Sequence, residues 1–301
     1  MALKLKKSSR VAASDKIFYT IVYTIITLIV LVVLYPVIYT LSASFSSGPA
    51  VTAGRVILWP VDLSIAGYQL ALQNRMVYVG YMNTLIYVFT ETTINTVMTV
   101  LLAYALSRRD FSGKKMFDLY CMVPMFFGGG LIPTYVLVSN LGLTNTRMGI
   151  IILGCVSLSN MILVRTYFQS SIPGELLDSA RLDGASDVYY LTNIAIPLAK
   201  PVLSVIILYS VVGSWNSYMT PLLYLRDREL FPLQLILRSI LSSSKVNAGD
   251  FQDSAVLAKM QEAADAMKYA LIVVSTVPML VFYPFVQKFF EKGVMVGALK
   301  G

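Results

Sequence analysis

Residues 17–41 read IFYTIVYTIITLIVLVVLYPVIYTL, a run without a single charged side chain. A helix needs about 20 apolar residues to cross the hydrocarbon core of a bilayer, so this run is long enough to span one. It is too long for the apolar part of a cleavable signal peptide, and no small-residue cleavage site follows it closely. We therefore predict a permanent first span, which Pro36 is expected to kink near its end.

The composition of the whole chain agrees with lipid as the main solvent. Of the 301 residues, 56% are hydrophobic and only 13% are charged, whereas soluble domains carry about 25% charged residues. The net charge is +8, but the basic residues form short clusters between apolar runs, so nucleic acid is not an expected partner. The chain has no histidine, which excludes metal sites and catalytic triads built on imidazole. Cys121 and Cys155 lie within apolar runs and are predicted to be buried free thiols.

Five further apolar segments follow the first one, which predicts an all-α integral membrane protein with six transmembrane helices. Their approximate ranges are 83–106, 116–146, 148–164, 201–225 and 269–287. The third contains Gly128-Gly129-Gly130 and Pro133, so its helix is predicted to break there. The corresponding division of the chain is 1–78 for the N-terminal tail, first span and external loop, 79–290 for a core that holds the other spans, and 291–301 for a C-terminal tail.

The basic residues predict the orientation of these spans. Lys and Arg are concentrated in the N-terminal tail, the 2–3 loop, the 4–5 loop and the C-terminal tail, whereas the 1–2 and 3–4 loops together carry only Arg55, Arg75 and Arg147. Loops rich in Lys and Arg remain in the cytoplasm. Both termini are therefore predicted to be cytoplasmic. Short helices are expected in the long 1–2 and 5–6 loops, with a turn at 247–250 and a helix over 251–267.

The 4–5 loop differs from the other loops, and residues 171–187 read SIPGELLDSARLDGASD. Pro173 is a good helix-entry residue, and acids in the first turn suit a helix N-terminus. On a helix, Leu177, Ala180 and Gly184 share one face, where small side chains let another surface approach the backbone. These residues alone are equally consistent with an amphipathic helix that lies at the membrane surface without a partner.

The spacing of this loop also resembles the signature of ABC importer permeases, which is Glu-Ala-Ala, three residues, Gly, nine residues, Ile-x-Leu-Pro. The matching positions are Asp178, Ser179, Ala180, Gly184, Ile194, Ile196 and Pro197. The longer pattern around it is similar to that of the maltose-type carbohydrate permeases. Residues 127–142 (FGGGLIPTYVLVSNLG), 213–218 (GSWNSY) and 292–301 (KGVMVGALKG) also resemble stretches of that family, the first of them in a subgroup that handles complex oligosaccharides.

The resemblance implies the type I ABC importer permease fold and a set of partners. These are a second homologous permease, two ATP-binding cassette subunits, an extracytoplasmic sugar-binding protein and the lipid bilayer of a bacterial cell membrane. It also implies that a coupling helix at 173–187 docks on an ATPase subunit. The candidate docking residues are Glu175, Asp178, Ser179, Ala180, Arg181, Asp183, Gly184 and Ala185. The chain has no Gly-x-x-x-x-Gly-Lys-Ser/Thr sequence, so ATP and Mg²⁺ are expected on the partner ATPases, with no cofactor on this chain and no enzyme activity of its own.

Two groups of residues are candidates for contact with substrate in the pore. Thr84, Tyr87, Glu91 and Asn95 recur at spacings of three and four in the second apolar segment and form one polar stripe. This stripe either lines the pore or contacts the partner permease. Trp215, Asn216 and Tyr218 could stack against and hydrogen-bond a sugar, and a Trp/Tyr anchor at the membrane interface explains them equally well.

Three other functions agree less well with the sequence than a carbohydrate permease does. An ABC importer permease for a non-sugar solute is disfavoured by the maltose-type form of the loop. An ion-coupled secondary transporter predicts more charge within the membrane and no docking helix. A membrane-embedded enzyme needs paired acids or a nucleophile with a base, which the single Glu91 in a chain without histidine does not offer.

Overall fold

The computed structural model describes residues 13–243 and 265–284, apart from residue 266. Within these ranges the regular elements are helices, and an isolated bridge joins Ser46 to Leu63. The α-helices are α1 (Ala13–Ser44), α2 (Gly48–Thr52), α3 (Ala66–Gln73), α4 (Arg75–Ser107), α5 (Lys114–Phe126), α6 (Leu131–Asn140), α7 (Arg147–Gly154), α8 (Leu158–Ser170), α9 (Glu175–Leu182), α10 (Asp187–Tyr190), α11 (Ile196–Leu198), α12 (Lys200–Trp215), α13 (Met219–Tyr224), α14 (Leu233–Ser243) and α15 (Met267–Pro284). A π-helical turn, Leu191–Ala195, joins α10 to α11, and a 3₁₀ turn, Arg228–Leu230, precedes α14.

Four of the described helical segments are long and apolar enough to cross a membrane. They are Asp15–Ser44, Arg75–Ser107, Arg147–Ser170 and Met267–Pro284. Two further pairs of helices have sufficient length and hydropathy together but bend sharply at a short break. The pair α5 and α6 bends by 114°, and Asp187–Leu198 with α12 bends by 80°. The described residues therefore hold four to six spans by length and composition.

The chain divides into two compact units, residues 1–70 with 247–273 and residues 71–246 with 274–301. In the first unit, the apolar window of α1 is wholly exposed, as expected for a helix that faces lipid. A small buried cluster of Ala43, Ala50, Val51 and Val56 lies around its C-terminal end. The Ser42 hydroxyl donates a 2.6 Å hydrogen bond to the Leu58 carbonyl and fixes the returning chain there.

The second unit is built around α4, which packs against α8, α12 and α14. The approach of α14 is close because Gly80 lacks a side chain: a Cβ there would lie 3.0 Å from the Leu233 Cα. The amide of Leu233 donates to the Thr84 hydroxyl at 2.8 Å, so the first turn of α14 is fixed on α4. Aromatic side chains fill the opposite end of α4, where Tyr104 and Phe168 meet edge to face.

The predicted break of the third apolar segment is confirmed, since α5 ends at Phe126 and α6 starts at Leu131. Gly130 has a φ of +81°, a conformation that glycine adopts without the steric cost of a Cβ. The short helices expected in the 1–2 and 5–6 loops are present as α2, α3 and α14.

The fourth and fifth segments differ from prediction because hydrogen-bonding side chains end helices inside them. The fourth continues to Ser170 but is interrupted at 155–157, where the Ser157 hydroxyl accepts from the Asn160 amide and starts α8. The fifth ends as a continuous helix at Trp215 rather than Leu225, and Asn216 occupies its C-cap. The turn predicted at 247–250, the helix over 251–267 up to residue 264, and the C-terminal stretch 292–301 lie outside the described residues.

Candidate functional site: a polar cavity and a loop helix

The 4–5 loop contains a helix, α9, that is shorter than the predicted 173–187. It starts at Glu175 and ends at Leu182, with Glu175 and Asp178 in its first turn. Gly184 follows with a φ of +78°, and the Ala185 amide donates back to the Ala180 carbonyl at 2.9 Å. This left-handed glycine closes the helix, as is common at helix C-termini. Gly184 therefore does not belong to the helical face of Leu177 and Ala180, and that part of the prediction is corrected.

The small-residue face of α9 packs against the chain's own core rather than standing open. Leu177 and Ala180 are buried in a cluster with Phe168, Ile172 and Tyr190. A partner can reach the opposite side of the helix and the turn after it. The exposed residues there are Glu175, Leu176, Asp178, Ser179, Arg181, Leu182, Asp183 and Gly184, with Ala185 half-buried. Leu182 is the most exposed of the apolar ones, at 89%.

Ion pairing connects α9 to the 2–3 loop. The Arg181 guanidinium donates to Asp110 at 2.8 Å and to Asp187 at 3.3 Å. The hydrogen bond from Arg181 lowers the pKa of the Asp110 carboxyl from its ordinary value. Beside this pair, the Arg108 guanidinium lies over the Tyr104 ring at 4.4 Å and the Tyr190 ring at 5.4 Å. The base of α9 is thus held by charge and aromatic contacts as well as by its apolar face.

A polar cavity of about 380 Å³ lies beside the middle of α4. Its walls come from α4, α7, α8, α12 and α13, and among the described residues its polar lining consists of Glu91, Asn95, Ser157, Asn160, Tyr209, Ser210, Ser214, Ser217 and Thr220. Asn95 is itself fixed, since its amide donates to the Gly154 carbonyl at 3.1 Å and accepts from the Ser210 hydroxyl at 3.2 Å. A wall of hydroxyl, amide and carboxyl groups is suited to hydrogen bonding a neutral polar solute.

The predicted stripe on α4 is divided between two structural environments. Glu91 and Asn95 line the cavity. Thr84 and Tyr87 are buried elsewhere: Thr84 accepts from the Leu233 amide, and the Tyr87 hydroxyl donates to the Leu230 carbonyl at 2.9 Å. Tyr87 is therefore not among the cavity-lining residues, because its hydroxyl is hydrogen-bonded to the 3₁₀ turn before α14.

The three residues proposed from the fifth segment also lie away from the cavity lining. Trp215 is 4% exposed, and its indole N–H donates to the Ser275 carbonyl at 3.1 Å. Asn216 donates to the Val212 carbonyl at 3.0 Å, and the Tyr218 ring lies 4.5 Å from the Arg238 guanidinium. The residues of GSWNSY that line the cavity are instead Gly213, Ser214 and Ser217.

Several cavity residues were missed from the sequence, and one signal could have found part of them. Ser210, Gly213, Ser214 and Ser217 follow spacings of three and four, which places small polar residues on one face. Asn160 and Tyr209 lie outside this pattern, because Asn160 is on a different helix and Tyr209 is not a small residue. Only the packing of α8 and α12 around α4 brings them to the cavity.

Comparison with known proteins identifies the family of this chain. Residues 5–296 match the family described as the binding-protein-dependent transport system inner membrane component. The chain belongs to this family. Its members are transport permeases rather than enzymes, so this permease is a multi-pass inner membrane protein that works with the other components of a binding-protein-dependent system.

Individual relatives and a solved structure cover most of this permease. A polygalacturonan/rhamnogalacturonan transport system permease protein of Bacillus subtilis is 34% identical over 87% of this chain and 90% of its own length. An arabinooligosaccharides transport system permease protein of the same organism is 26% identical over 80% of this chain and 81% of that protein. A chain from a bacterial ABC transporter involved in the import of the acidic polysaccharide alginate has a TM-score of 0.86, 35% identity, and coverage of 94% of this chain and all of that chain.

Proposed function

We propose that this permease forms half of the pore of an ATP-driven importer for a carbohydrate. The polar cavity carries the proposal: Glu91 and Asn95 of α4 meet hydroxyl-bearing residues of α12, of α13 and of the segments that precede α8 and α13. Sugars present many hydroxyl groups, each able to donate and accept a hydrogen bond, so a wall of this chemistry can exchange hydrogen bonds with water for hydrogen bonds with a sugar. The relatives named for oligosaccharide and polysaccharide transport support the same substrate class.

The topology that goes with this function has six spans and both termini in the cytoplasm. Treating each bent pair of helices as one span gives six among the described residues. Arg108 and Arg109 follow α4, and Lys114 and Lys115 start α5; the positive-inside rule assigns this connection to the cytoplasm. Both α9 and the Arg181–Asp110 pair then lie on the cytoplasmic side, where an ATPase is accessible.

The coupling role is proposed for the exposed side of α9 and its closing turn. Leu176 and Leu182 are apolar and exposed, at 40% and 89%, although the helix is surrounded by charged residues. Apolar side chains flanked by acids form a surface that a protein partner can bury. Two ATPase subunits would supply ATP and Mg²⁺, a second permease would complete the pore, and an external binding protein would deliver the sugar.

Co-purification tests this function. The permease would be expressed with the other components of its system, purified in detergent and assayed for ATP hydrolysis with a panel of neutral and acidic oligosaccharides. We expect an ATPase and a second permease to co-purify, and at least one oligosaccharide with the binding protein to stimulate hydrolysis. A complex that contains both partners but responds equally to every solute would contradict the carbohydrate assignment.

A further inference from the structure

The fourth apolar segment breaks at the level of Glu91. Helix α7 ends at Gly154 and α8 starts at Leu158, so the residues between them are not held by a continuous helix. The Gly154 carbonyl accepts the Asn95 amide at 3.1 Å, which is one turn along α4 from Glu91. An uncoiled stretch within a span is tolerated where it lines a cavity and side chains satisfy its backbone, and both conditions hold here.

The Glu91 side chain lies directly against Gly154. A Cβ on residue 154 would lie 3.0 Å from the carboxyl carbon of Glu91, 3.1 Å from its Oε2 and 3.2 Å from its Cγ. These three atoms are the nearest neighbours of that position, so the space left by the missing side chain is occupied by one residue. Gly213, which also lines the cavity, has no atom within 4 Å of its equivalent position. The glycine at 154 therefore has a contact that the glycine at 213 lacks.

From this geometry we propose that Gly154 is a positioning residue for Glu91, and that the Glu91 carboxyl binds the hydroxyl-bearing face of one sugar unit. This inference rests on the proposed carbohydrate function and assigns a ligand group to its cavity. Ser214 lines the same cavity as Glu91, and the neighbouring Asn95 side chain is held in place by the Ser210 hydroxyl. A carboxyl group with two oxygens can engage two adjacent hydroxyls at once, in a geometry that a displaced side chain cannot keep.

The charge of the cavity defines which part of a sugar fits. Among the described residues that line it, Glu91 is the one acid, and none is Lys or Arg. The carboxylate of an acidic sugar would therefore lie against Glu91 without a cation to offset the repulsion, whereas sugar hydroxyl groups can donate hydrogen bonds to Glu91. In an acidic sugar, this subsite accordingly takes the hydroxyl face, and the carboxylate points away from this permease.

The test measures uptake by proteoliposomes that contain the complete transporter with its binding protein. The probes are radiolabelled arabinotriose, raffinose and digalacturonate, and the one taken up fastest by the wild type is used thereafter. Gly154→Ala forces the Glu91 carboxyl to move by a few tenths of an ångström, so we expect uptake to fall about tenfold. Gly129→Ala is the matched control, because residue 129 also lies in a break between two apolar helices and has nothing within 4 Å of its Cβ position; its uptake should stay within about twofold of wild type.

A second substitution that restores uptake would show that Gly154→Ala acts by displacing Glu91 rather than by disturbing helix packing in general. Glu91→Asp shortens the side chain by one methylene group and should lower uptake on its own. In the double variant Gly154→Ala with Glu91→Asp, the shorter acid leaves room for the new methyl group, so uptake should exceed that of Gly154→Ala alone by about threefold or more. A double variant that is as impaired as Gly154→Ala, or that fails to assemble as that variant does, would overturn the inference.

Failure of the inference can be told apart from failure of the proposed function. If the wild-type complex takes up none of the three probes, the carbohydrate function itself is contradicted. If it takes up a probe and Glu91→Ala abolishes this, but Gly154→Ala behaves like Gly129→Ala, the cavity function stands and the role of Gly154 is refuted.

Discussion

Nη2 of Arg181 lies 2.8 Å from Oδ2 of Asp110, which joins helix α9 to the loop that follows α4. The two residues are far apart in the chain, and their side chains are 43% and 54% exposed. At that exposure an ion pair contributes little to stability. The pair instead fixes the orientation of α9, because a rotation of α9 relative to α4 would have to break it.

Breaking this pair should therefore affect coupling more than folding. In Arg181→Gln we expect the melting temperature of the complex to stay close to that of the wild type, while substrate-stimulated ATP hydrolysis falls severalfold. The matched control is Arg55→Gln, since Arg55 pairs with Asp62 at 2.7 Å and is similarly exposed, at 53%. Equal ATPase activities in the two variants would argue against an orienting role.

The same pair predicts how coupling depends on pH. Arg181 lowers the pKa of Asp110, so the carboxylate contributes stability above its unfolded-state value near 3.8 and loses it as the pH falls through the lowered value in the fold. Coupling should then be insensitive to Asp110 protonation between about pH 5 and pH 8. Comparing wild type with Asp110→Asn over that range should give a constant ratio of ATPase rates, and a ratio that changes with pH would contradict this assignment.

Gly184 provides a direct test of the docking surface. Its φ is +78°, and a Cβ there would meet nothing within 4 Å. Gly184→Glu adds a charged side chain to the turn that closes α9, so substrate-stimulated ATP hydrolysis should fall about tenfold or more. Gly54→Glu is a close control, because Gly54 has a φ of +67° and equally open space but lies in the 1–2 loop.

Both substitutions place a non-glycine residue in the left-handed region and should cost a similar small amount of stability. A loss of ATPase stimulation in Gly184→Glu alone therefore reports docking rather than backbone strain. Normal sugar uptake and normal stimulation in Gly184→Glu would show that this turn does not contact the ATPase.

Glu91 should be needed for transport but not for assembly. Glu91→Ala removes the acid of the central cavity without disturbing the Asn95 contacts to Gly154 and Ser210. We expect the complex to purify with its usual subunits while sugar uptake falls at least about tenfold. Glu175→Ala is the control that distinguishes the cavity from the docking surface. It removes an exposed acid from α9 and should leave the affinity for sugar unchanged. Normal uptake in Glu91→Ala would exclude the cavity as a substrate site.

Gly149 is predicted to be required for folding of the fourth segment. A Cβ on this residue would lie 2.1 Å from the Leu143 carbonyl oxygen, and the Gly149 amide is capped by the Thr146 hydroxyl at 3.0 Å. Backbone atoms cannot yield as a flexible side chain can, so Gly149→Ala should cost about 1–3 kcal/mol or more. Thermal unfolding in detergent should show a lower midpoint than Gly174→Ala, whose Cβ would meet nothing within 4 Å. Equal midpoints would contradict the close contact.

The helices could be predicted from sequence to the extent that local residues determine them. The run at 17–41 and the glycines at 128–130 gave the first span and the break of the third, because length, hydropathy and backbone freedom are local properties. At 155–157 the Ser157 cap of α8 is local, but the Asn95 amide that satisfies the Gly154 carbonyl comes from a different helix, so the fourth segment alone did not predict the interruption. Likewise, the polar stripe on α4 could be recognised, but its division between Glu91 and Tyr87 depends on the 3₁₀ turn at Arg228–Leu230.

For the loop helix, sequence reasoning located α9 but misjudged which side is available to a partner. Leu177 and Ala180 have the spacing of a contact face, and they do form one, but with Phe168 and Tyr190 of the same chain. A sequence pattern shows that a face is apolar, whereas the identity of the surface that buries it depends on tertiary packing.

The most direct test of the account is sugar uptake by the purified transporter in proteoliposomes. Uptake is compared with and without ATP on the side of the membrane that carries the ATPase subunits. We predict that a labelled oligosaccharide accumulates only with hydrolysable ATP and the binding protein, and that Gly184→Glu stops it. Accumulation that proceeds without ATP and follows an imposed ion gradient would contradict the central claim that this chain is an ABC importer permease.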